Sequence, residues 1–491
     1  MKKFIFLGLL AIPLSGVLAQ TNNSIITQTG QSQSATAGQT GSGLTSVISQ
    51  TAANNTANQF NTGVTSQSGT TNTATINQNG ANVFLIGTVG SRYNEGRITQ
   101  HGANQTATIT QTRSGGSAQR GNSNASVATG LGNYANSNQE GSGNTATTTQ
   151  NNLANSNYAN TSQNGSANVA STNQTDATNN RGTITQGSSM TASNNRATIT
   201  QNAILSANND AIITQTSSGN TATVSQNGST FSTGNAAIVI QAGSLGLNRA
   251  TVNQTSSSSN NDVLITQTGG SNRATANQNG VFLIGISDSN ETTITQSGND
   301  NTATTNQNGL SFNNEAVIKQ LGANSTALIN QNTTNGNSGF IEQGTGGTGN
   351  AATIEQRNSF TGNSATITQN LTASGSGNVA VVTQGFAPLA GGPSEDNVAT
   401  LSQEGSTNQA RLLQLRNNNT ATFTQTGDGN IIRGLPGSSD PTTARQETTS
   451  GTIGNTAIIN QTANTGFNIA QLGQVGIGNS VLINQSGNAI P

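Results

Sequence analysis

Polar and apolar residues alternate with a period of two in short stretches that recur along most of the chain. NRATITQ at 195–201, NTATVSQ at 220–226 and NTAIINQ at 455–461 are examples. Counting back from the final Gln, the residue six before it is usually Asn and the residue four before it is usually Ala. The residue two before it is often Ile, Val, Leu or Thr. Because alternate side chains of a strand share one face, the pattern predicts β-strands with these four positions on the same side.

Charged residues indicate which face of these strands is outside. Fourteen of them fall within the seven-residue stretches, and all fourteen lie on the face opposite to Asn and Gln. An unpaired charge in an interior is strongly unfavourable. The face with Asn, Ala, the aliphatic residue and Gln is therefore predicted to be inside. The fourteen residues are Glu95, Arg97, Arg181, Arg196, Asp210, Arg249, Asp262, Arg273, Glu291, Glu315, Lys319, Glu342, Glu355 and Arg411.

The spacing of the final Gln residues predicts how the strands are connected. Many are 11 residues apart, as Gln67 is from Gln78, and some steps are stretched to 13 or 15. A seven-residue strand and a four-residue turn account for 11 residues, and the turn often contains Gly, which permits positive φ. Two such arcs form a circuit of about 22 residues, with extra residues at one corner. About 34 arcs predict about 17 circuits, which stack to a length on the order of 80 Å.

We therefore predict an all-β solenoid whose two parallel sheets pack face to face. Inside it, Gln and Asn amides are expected to bond to the same residue one circuit away, as in a dry steric zipper. Three stretches interrupt the pattern and are predicted to be long corner loops: 112–138, 385–397 and 427–454. The last of these contains Pro436 and Pro441, which cannot donate to a central ladder.

Composition excludes several other classes of protein. Of the 491 residues, 7% are charged and 3% are aromatic, Cys and Trp are absent, and Gly occurs 59 times. Large apolar residues are too few for a compact globule of this length. Six prolines and a net charge of -1 are unlike most disordered chains, whereas neutral Gln/Asn-rich sequence favours stacked β structure. The low charge disfavours nucleic acid as a partner, and no disulfides are possible.

The N-terminus has the pattern of a signal peptide. Lys2 and Lys3 precede a short apolar run, and the small residue Ala19 suits a cleavage site. We expect residues 1–19 to be removed and residues 20–491 to form one solenoid, which would be exported. No later stretch is apolar enough for a membrane-spanning helix.

Chemistry typical of enzymes is not found in the sequence. His101 is the only histidine, no Cys lies near it, and the charged residues are scattered singly on the predicted outside. No nucleophile elbow, phosphate loop or calcium-binding repeat is present. We expect neither an enzyme nor a protein with a metal or cofactor.

Two features have more than one interpretation. The near-copies NGANVFLIG at 79–87 and NGVFLIG at 279–285 could be contact patches between filaments or extra strands on the flank. Asp262, Glu291 and Glu315 fall at equivalent positions of successive circuits, where like charges destabilise a ladder. Screening by solvent and salt is the preferred explanation, ahead of a bound cation or a slipped register.

The repeat resembles the curlin repeat of curli fibre subunits. Its signature, Gln-x-Gly-x-x-Asn-x-Ala-x-x-x-Gln, is matched in full from Gln67, Gln139, Gln163, Gln267, Gln296 and Gln403. The resemblance implies an extracellular amyloid of a bacterial biofilm matrix. It also implies export through a dedicated outer-membrane pore and growth from a nucleator subunit, with further copies of the chain as the main partner.

The positions of this signature form the predicted self-assembly core. Its Gln, Asn and Ala residues are Gln67, Asn72, Ala74, Gln78, Gln139, Asn144, Gln150, Gln163, Asn168, Gln174, Gln267, Asn272, Gln278, Gln296, Asn301, Gln307, Gln403, Asn408 and Gln414. Its turn glycines are Gly69, Gly141, Gly165, Gly269, Gly298 and Gly405.

Two other functions stay open beside a fibre subunit for biofilm and adhesion. Outward Thr pairs such as Thr73/Thr75 and Thr221/Thr223 could form the rows of an ice-binding solenoid, although Thr is also a good strand former. The repeats could also be the stalk of a surface adhesin, although no shift in composition marks a separate binding module.

Overall fold

The computed structural model describes most of the repeat region. The described residues are 21–29, 33–52, 59–80, 92–112, 133–151, 156–187, 192–227, 234–243, 246–256, 260–280, 289–309, 312–359, 362–372, 374–385, 396–438, 440–448, 453–463 and 468–487. The predicted signal peptide and both VFLIG segments lie outside them.

Nearly all the strands belong to two parallel sheets, which alternate along the chain. The first sheet has 19 strands. They are β1 (Asn23–Thr29), β3 (Thr45–Ala52), β5 (Thr73–Gly80), β7 (Thr106–Thr112), β9 (Thr145–Asn151), β11 (Val169–Thr178), β13 (Arg196–Ala207), β15 (Thr221–Asn227), β17 (Arg249–Ser256), β19 (Arg273–Gly280), β21 (Thr302–Gly309), β23 (Thr326–Thr334), β26 (Ala351–Ser359), β29 (Val379–Gln384), β31 (Gln409–Leu415), β33 (Ile431–Arg433), β34 (Ala444–Thr448), β36 (Ile469–Gln471) and β37 (Gly473–Gly476).

The second sheet supplies the other half of each circuit. Its strands are β2 (Gln33–Ser42), β4 (Gln59–Thr70), β6 (Arg92–Ala103), β8 (Tyr134–Ser142), β10 (Tyr158–Ser166), β12 (Arg181–Gln186), β14 (Asp210–Gln215), β16 (Ala236–Gln241), β18 (Asp262–Gln267), β20 (Glu291–Gln296), β22 (Glu315–Gln320), β24 (Ser338–Gln343), β27 (Ser364–Gln369), β30 (Val398–Glu404), β32 (Thr420–Gly427), β35 (Thr456–Ala463) and β38 (Ser480–Gly487). A further corner pair consists of β25 (Gly347–Thr348) and β28 (Gly375–Ser376).

Each sheet has one strand position per circuit, and the circuits stack in register. β33 with β34, and β36 with β37, are halves of single positions. Both sheets therefore contain 17 positions. Gln aligns with Gln at each step, as Gln254 does with Gln278 and Gln267 with Gln296. The predicted solenoid of about 17 circuits is confirmed.

Burial follows the predicted period of two. In β15, for example, Ala222, Val224 and Gln226 are buried while Thr221 and Thr223 are partly exposed. None of the fourteen charged residues in the predicted strands is buried. The inward faces of the two sheets thus pack against each other, and the outward faces contact solvent.

The apolar core is interrupted near β8 to β11. Ile, Val or Leu usually fills the inward position two residues before Gln, but hydroxyl side chains fill it here. These hydroxyls are buried and have no hydrogen-bond partner among the described residues. The interruption separates a small N-terminal apolar cluster, which ends at Ala146, from the main core, which begins at Ala170. The four residues are Ser137, Thr148, Thr161 and Thr172.

Two of the predicted corner loops need correction. Residues 133–138 belong to the regular part of the chain, because β8 starts at Tyr134 and Ala135 is buried. Within 427–454, β33 and β34 occupy one strand position of the first sheet. The insertion between these half-strands contains Pro436 and Pro441 and separates the inward Ile432 from the inward Ala444. Because of this separation, the seven-residue pattern is not continuous in the sequence. Most of 385–397 lies outside the described residues.

Candidate assembly site

The inward glutamines form two continuous amide ladders. In the first sheet each Nε2 donates to the Oε1 of the next Gln, at 2.8–3.0 Å, from Gln28 to Gln474. In the second sheet the same bonds run from Gln39 to Gln485 at 2.7–3.0 Å. Both ladders therefore span all 17 circuits.

Each ladder has a direction that is fixed by contacts with the opposite sheet. Gln278 Nε2 donates to Gln307 Oε1 at 2.9 Å and also to the backbone oxygens of Asn290 and Asp262 at 2.9 and 3.2 Å. Reversing this amide would bring its oxygen against carbonyl oxygens. The donors consequently point toward the C-terminal circuits and the acceptors toward the N-terminal circuits, and the same amides link the two sheets.

The inward asparagines bond mainly to the backbone. Asn272 Oδ1 accepts from the backbone N–H of Asn301 at 3.0 Å, and Asn248 Oδ1 accepts from that of Asn272 at 3.0 Å. Asn272 Nδ2 donates to the corner carbonyl of Gly298 at 2.6 Å. Asn272 thus ties its own strand start to the neighbouring circuits and to the corner, rather than forming only the amide-to-amide ladder that the sequence suggested. The corner bond is not general, because Asn195 Nδ2 and Asn261 Nδ2 are buried with no partner among the described residues.

The turn glycines are required by close stacking of the corners. A Cβ at Gly141 would lie 2.0 Å from Gly165 O, and one at Gly298 would lie 1.5 Å from Gly322 O. Gly141 also has a φ of 104°, as expected for the turn, but Gly298 is not in the left-handed region. Steric contact is therefore the constraint that these corners share, and positive φ is an additional one at some of them.

The structure brings the predicted core residues together at one kind of corner. In every full signature the first Gln lies in a strand of the second sheet, and the second Gln lies in the next strand of the first sheet. All of the named Gln and Asn residues and Ala74 are at most 2% exposed. Whether they drive association between molecules stays a prediction.

The two end circuits differ from the others because each lacks one neighbour. Among the described residues, β1 pairs only with β3 and β38 only with β35. Inward Ile26 of β1 is 45% exposed, although its counterpart Ile48 is fully buried. No described group donates to the Oε1 of Gln28 or of Gln39, so both ladders begin with open acceptors.

An outward column on the second sheet shows how polar and aromatic side chains stack along the solenoid. The rings of Tyr134 and Tyr158 stack with centroids 5.2 Å apart, and Arg181 lies 5.9 Å from the Tyr158 ring. Arg181 also approaches Asp210 at 4.0 Å. Burial, with smaller contributions from Tyr158 and Glu95, raises the pKa of Tyr134 to about 12. Successive circuits can thus pair on the outside as well as on the inside.

The carboxylates of Asp262, Glu291 and Glu315 are aligned on adjacent strands, as the sequence predicted. The register has therefore not slipped. Burial raises the pKa of Asp262 above its usual range. In the part of the chain that the structure describes, no group of three or more His, Cys, Asp or Glu residues could hold a metal ion. We likewise find no described helix with the length and apolar character needed to cross a bilayer.

A known repeat family matches part of the chain that forms these ladders. Residues 395–427 match the family model of the curlin associated repeat. The match contains the full signature from Gln403 to Gln414 and the whole of β30, β31 and β32. Over this range the chain is similar to curlin repeats, and the feature that the match covers is the laddered corner. No curated protein matches the chain.

Sequence reasoning missed one structural position. At most strand starts the residue immediately before the inward Asn has a left-handed backbone, as at Asn194 (φ 57°), Asn208 (φ 57°) and Gly219 (φ 72°). Asn and Gly adopt this conformation more readily than other residues. The recurring Asn-Asn and Gly-Asn pairs at strand starts were the available signal.

Proposed function

We propose that the protein is a structural subunit of an extracellular curli-like amyloid fibre. Copies add end to end, so that the first circuit of one molecule continues the last circuit of another. The observation that carries this proposal is the shared direction of the two glutamine ladders, which gives the two ends of the solenoid complementary chemistry.

The N-terminal end offers the Oε1 acceptors of Gln28 and Gln39. The C-terminal end offers Gln474 Nε2 and Gln485 Nε2, of which Gln485 Nε2 bonds only to Ile469 O at 2.9 Å among the described residues. Edge strands with unpaired backbone groups are templates for a further chain. A second copy in the same orientation continues both ladders and covers the exposed side chain of Ile26.

The match to the curlin associated repeat supports a fibre component outside the cell. We extend the resemblance to a role in biofilm matrix and adhesion, to secretion through a dedicated outer-membrane pore and to growth from a nucleator subunit. These partners are part of the proposal.

Purified protein lacking residues 1–19 tests the proposal directly. We expect unbranched fibres in electron micrographs, seeded growth, and a reflection at about 4.7–4.8 Å along the fibre axis. A monomer that shows thermal hysteresis would favour an ice-binding solenoid instead. A protein that stays monomeric without thermal hysteresis would favour an adhesin stalk.

Substitutions in the first circuit test the end-to-end contact. Gln28→Lys with Gln39→Lys replaces both acceptors by cations and should stop elongation while the interior circuits stay folded. Thr27→Lys with Thr40→Lys adds the same charge on neighbouring outward positions and should leave elongation nearly unchanged. Equal growth of both variants would contradict the proposed contact.

A further inference from the structure

Three circuits carry opposite charges on their two outer faces. In each, the first-sheet strand begins with Arg and the following second-sheet strand begins with Asp or Glu. The circuit between the first two of them is neutral on both faces, with Thr221 and Ala236 at these positions. The three combinations are Arg196 with Asp210, Arg249 with Asp262, and Arg273 with Glu291.

The register gathers these residues into two columns. Arg249 aligns with Arg273, and Thr221 separates Arg249 from Arg196. We call Arg196, Arg249 and Arg273 the basic column. Asp262 aligns with Glu291 and Glu291 with Glu315, and Ala236 separates Asp262 from Asp210. We call Asp210, Asp262, Glu291 and Glu315 the acidic column.

Among the described residues, the basic column has no counter-charge from the chain, and the acidic column has one only at Asp210. Within the described residues none of the three arginines forms an ion pair, and Asp210 has only the 4.0 Å contact with Arg181. The two columns lie on opposite faces of the solenoid, with the packed core between them. Aligned like charges on adjacent strands are destabilising, so both columns would gain from a counter-charge supplied by another molecule.

We propose that the basic column of one molecule pairs side by side with the acidic column of a neighbouring copy. Three circuits carry a residue of each column, so two molecules aligned in parallel and in register bring three arginines opposite three carboxylates. Glu315, whose circuit begins with Thr302 on the first sheet, has no arginine opposite it. In fibres this pairing would hold neighbouring filaments side by side in bundles, and to that extent it rests on the proposed function. A second copy is favoured over another anionic partner because the spacing of charged and neutral circuits matches on the two faces.

The columns occupy diagonally opposite edges of the solenoid cross-section. Gln278, which ends the inward pattern of β19, contacts the backbone of Asp262 at the start of β18 at 3.2 Å. The start of each first-sheet strand is correspondingly opposite the end of a second-sheet strand. To bring the two columns together, one molecule must be displaced sideways relative to its neighbour, so that only their edges overlap. The contact is therefore narrow, and salt screens it readily. Repetition along each filament makes such a contact effective.

Charge reversal on single faces tests the pairing. Arg249→Glu with Arg273→Glu places acids on both faces of these two circuits, and Asp262→Lys with Glu291→Lys places bases on both faces of the same two circuits. Each variant alone should form single filaments at low salt, whereas the wild type and an equimolar mixture of the two variants should form bundles. The control is Thr73→Glu with Thr106→Glu. It places two aligned acids at the equivalent strand starts of the first sheet, but in circuits outside these three, and it should still bundle.

Filament width in electron micrographs and light scattering between low salt and 1 M NaCl are the readouts. Bundles of mixed variants that disperse at high salt would support the pairing. Unchanged bundling by both variants would overturn it, even if fibres form normally. Loss of heparin binding by the arginine variant without loss of bundling would likewise overturn it, in favour of a polyanion partner. If no fibres form, the end-to-end proposal fails separately, and the pairing is then judged by sedimentation of the mixed soluble variants at low salt.

Discussion

Replacing Gln267 by Glu places a carboxyl group in the middle of the second-sheet ladder. Gln267 is fully buried, and its Nε2 donates to Gln296 Oε1 at 2.8 Å, to Asn272 O at 3.0 Å and to Arg249 O at 3.2 Å. An ionised Glu would direct an oxygen with no hydrogen at all three acceptors. A protonated Glu could still donate to one of them.

The size of the effect should depend on pH. At pH 4 the carboxyl group is largely protonated, and the loss of hydrogen bonds to buried acceptors costs about 1–3 kcal/mol. Burial and the surrounding oxygens raise the folded-state pKa of the new Glu above its usual value of about 4.3. Stability is therefore lost as pH rises from this value toward the folded-state pKa. Between pH 4.3 and pH 7 the additional loss reaches at most about 4 kcal/mol.

Hydrogen exchange measured by mass spectrometry is the appropriate assay, because unfolding of a long repeat array need not be two-state. Peptides that cover β16, β18 and β20 should exchange faster in Gln267→Glu, and the difference should be larger at pH 7 than at pH 4 after correction for intrinsic rates. Thr266→Glu changes the adjacent outward residue and is the matched control. Equal exchange of both variants at pH 7 would mean that the buried ladder amide of Gln267 contributes no more to stability than an outward residue.

Four further predictions test other parts of the fold. Gly298→Ala should destabilise its corner by more than about 1 kcal/mol, because the new Cβ meets a carbonyl oxygen, while Gly38→Ala, whose Cβ would lie 4.0 Å from Thr65 O, should have little effect on thermal stability. Asn272→Ala should expose the backbone amide of Asn301, seen as faster exchange there than in an Asn253→Ala control at an outward position. Thr161→Val should raise stability by about 1–3 kcal/mol, because it removes a buried hydroxyl without a partner, and a lower denaturation midpoint would count against this. Asp262→Asn should stabilise the protein at pH values above the usual Asp pKa and have no effect at pH values well below it. The reason is that a carboxyl group whose folded-state pKa is raised reduces stability as pH increases. Thermal melts at pH 3 and pH 7 measure the difference.

The sequence predicted the fold well because one period of two assigns both the strand and its inward face. The fourteen charged residues showed which of the two faces is outside, and the Gln-to-Gln spacing gave the register between strands. The position formed by β33 and β34 was missed because an insertion divides its inward residues, and seven-residue windows do not cross such gaps. The bonds from Gln278 to the opposite sheet could not be predicted, because they depend on how the sheets are staggered. The role of the core residues in association stays a prediction.

The corners tolerate very different lengths of chain without disturbing the ladders. Gln100 and Gln139 are 39 residues apart and their amides lie 2.8 Å from each other, whereas Gln403 and Gln425 are 22 residues apart and theirs lie 2.7 Å from each other. The rise per circuit is thus independent of how much sequence the circuit contains. Foreign peptides inserted at chosen corners would be held at heights set by the stacking of the circuits, which makes this architecture suitable as a scaffold for enzymes, binding epitopes or mineral-nucleating segments.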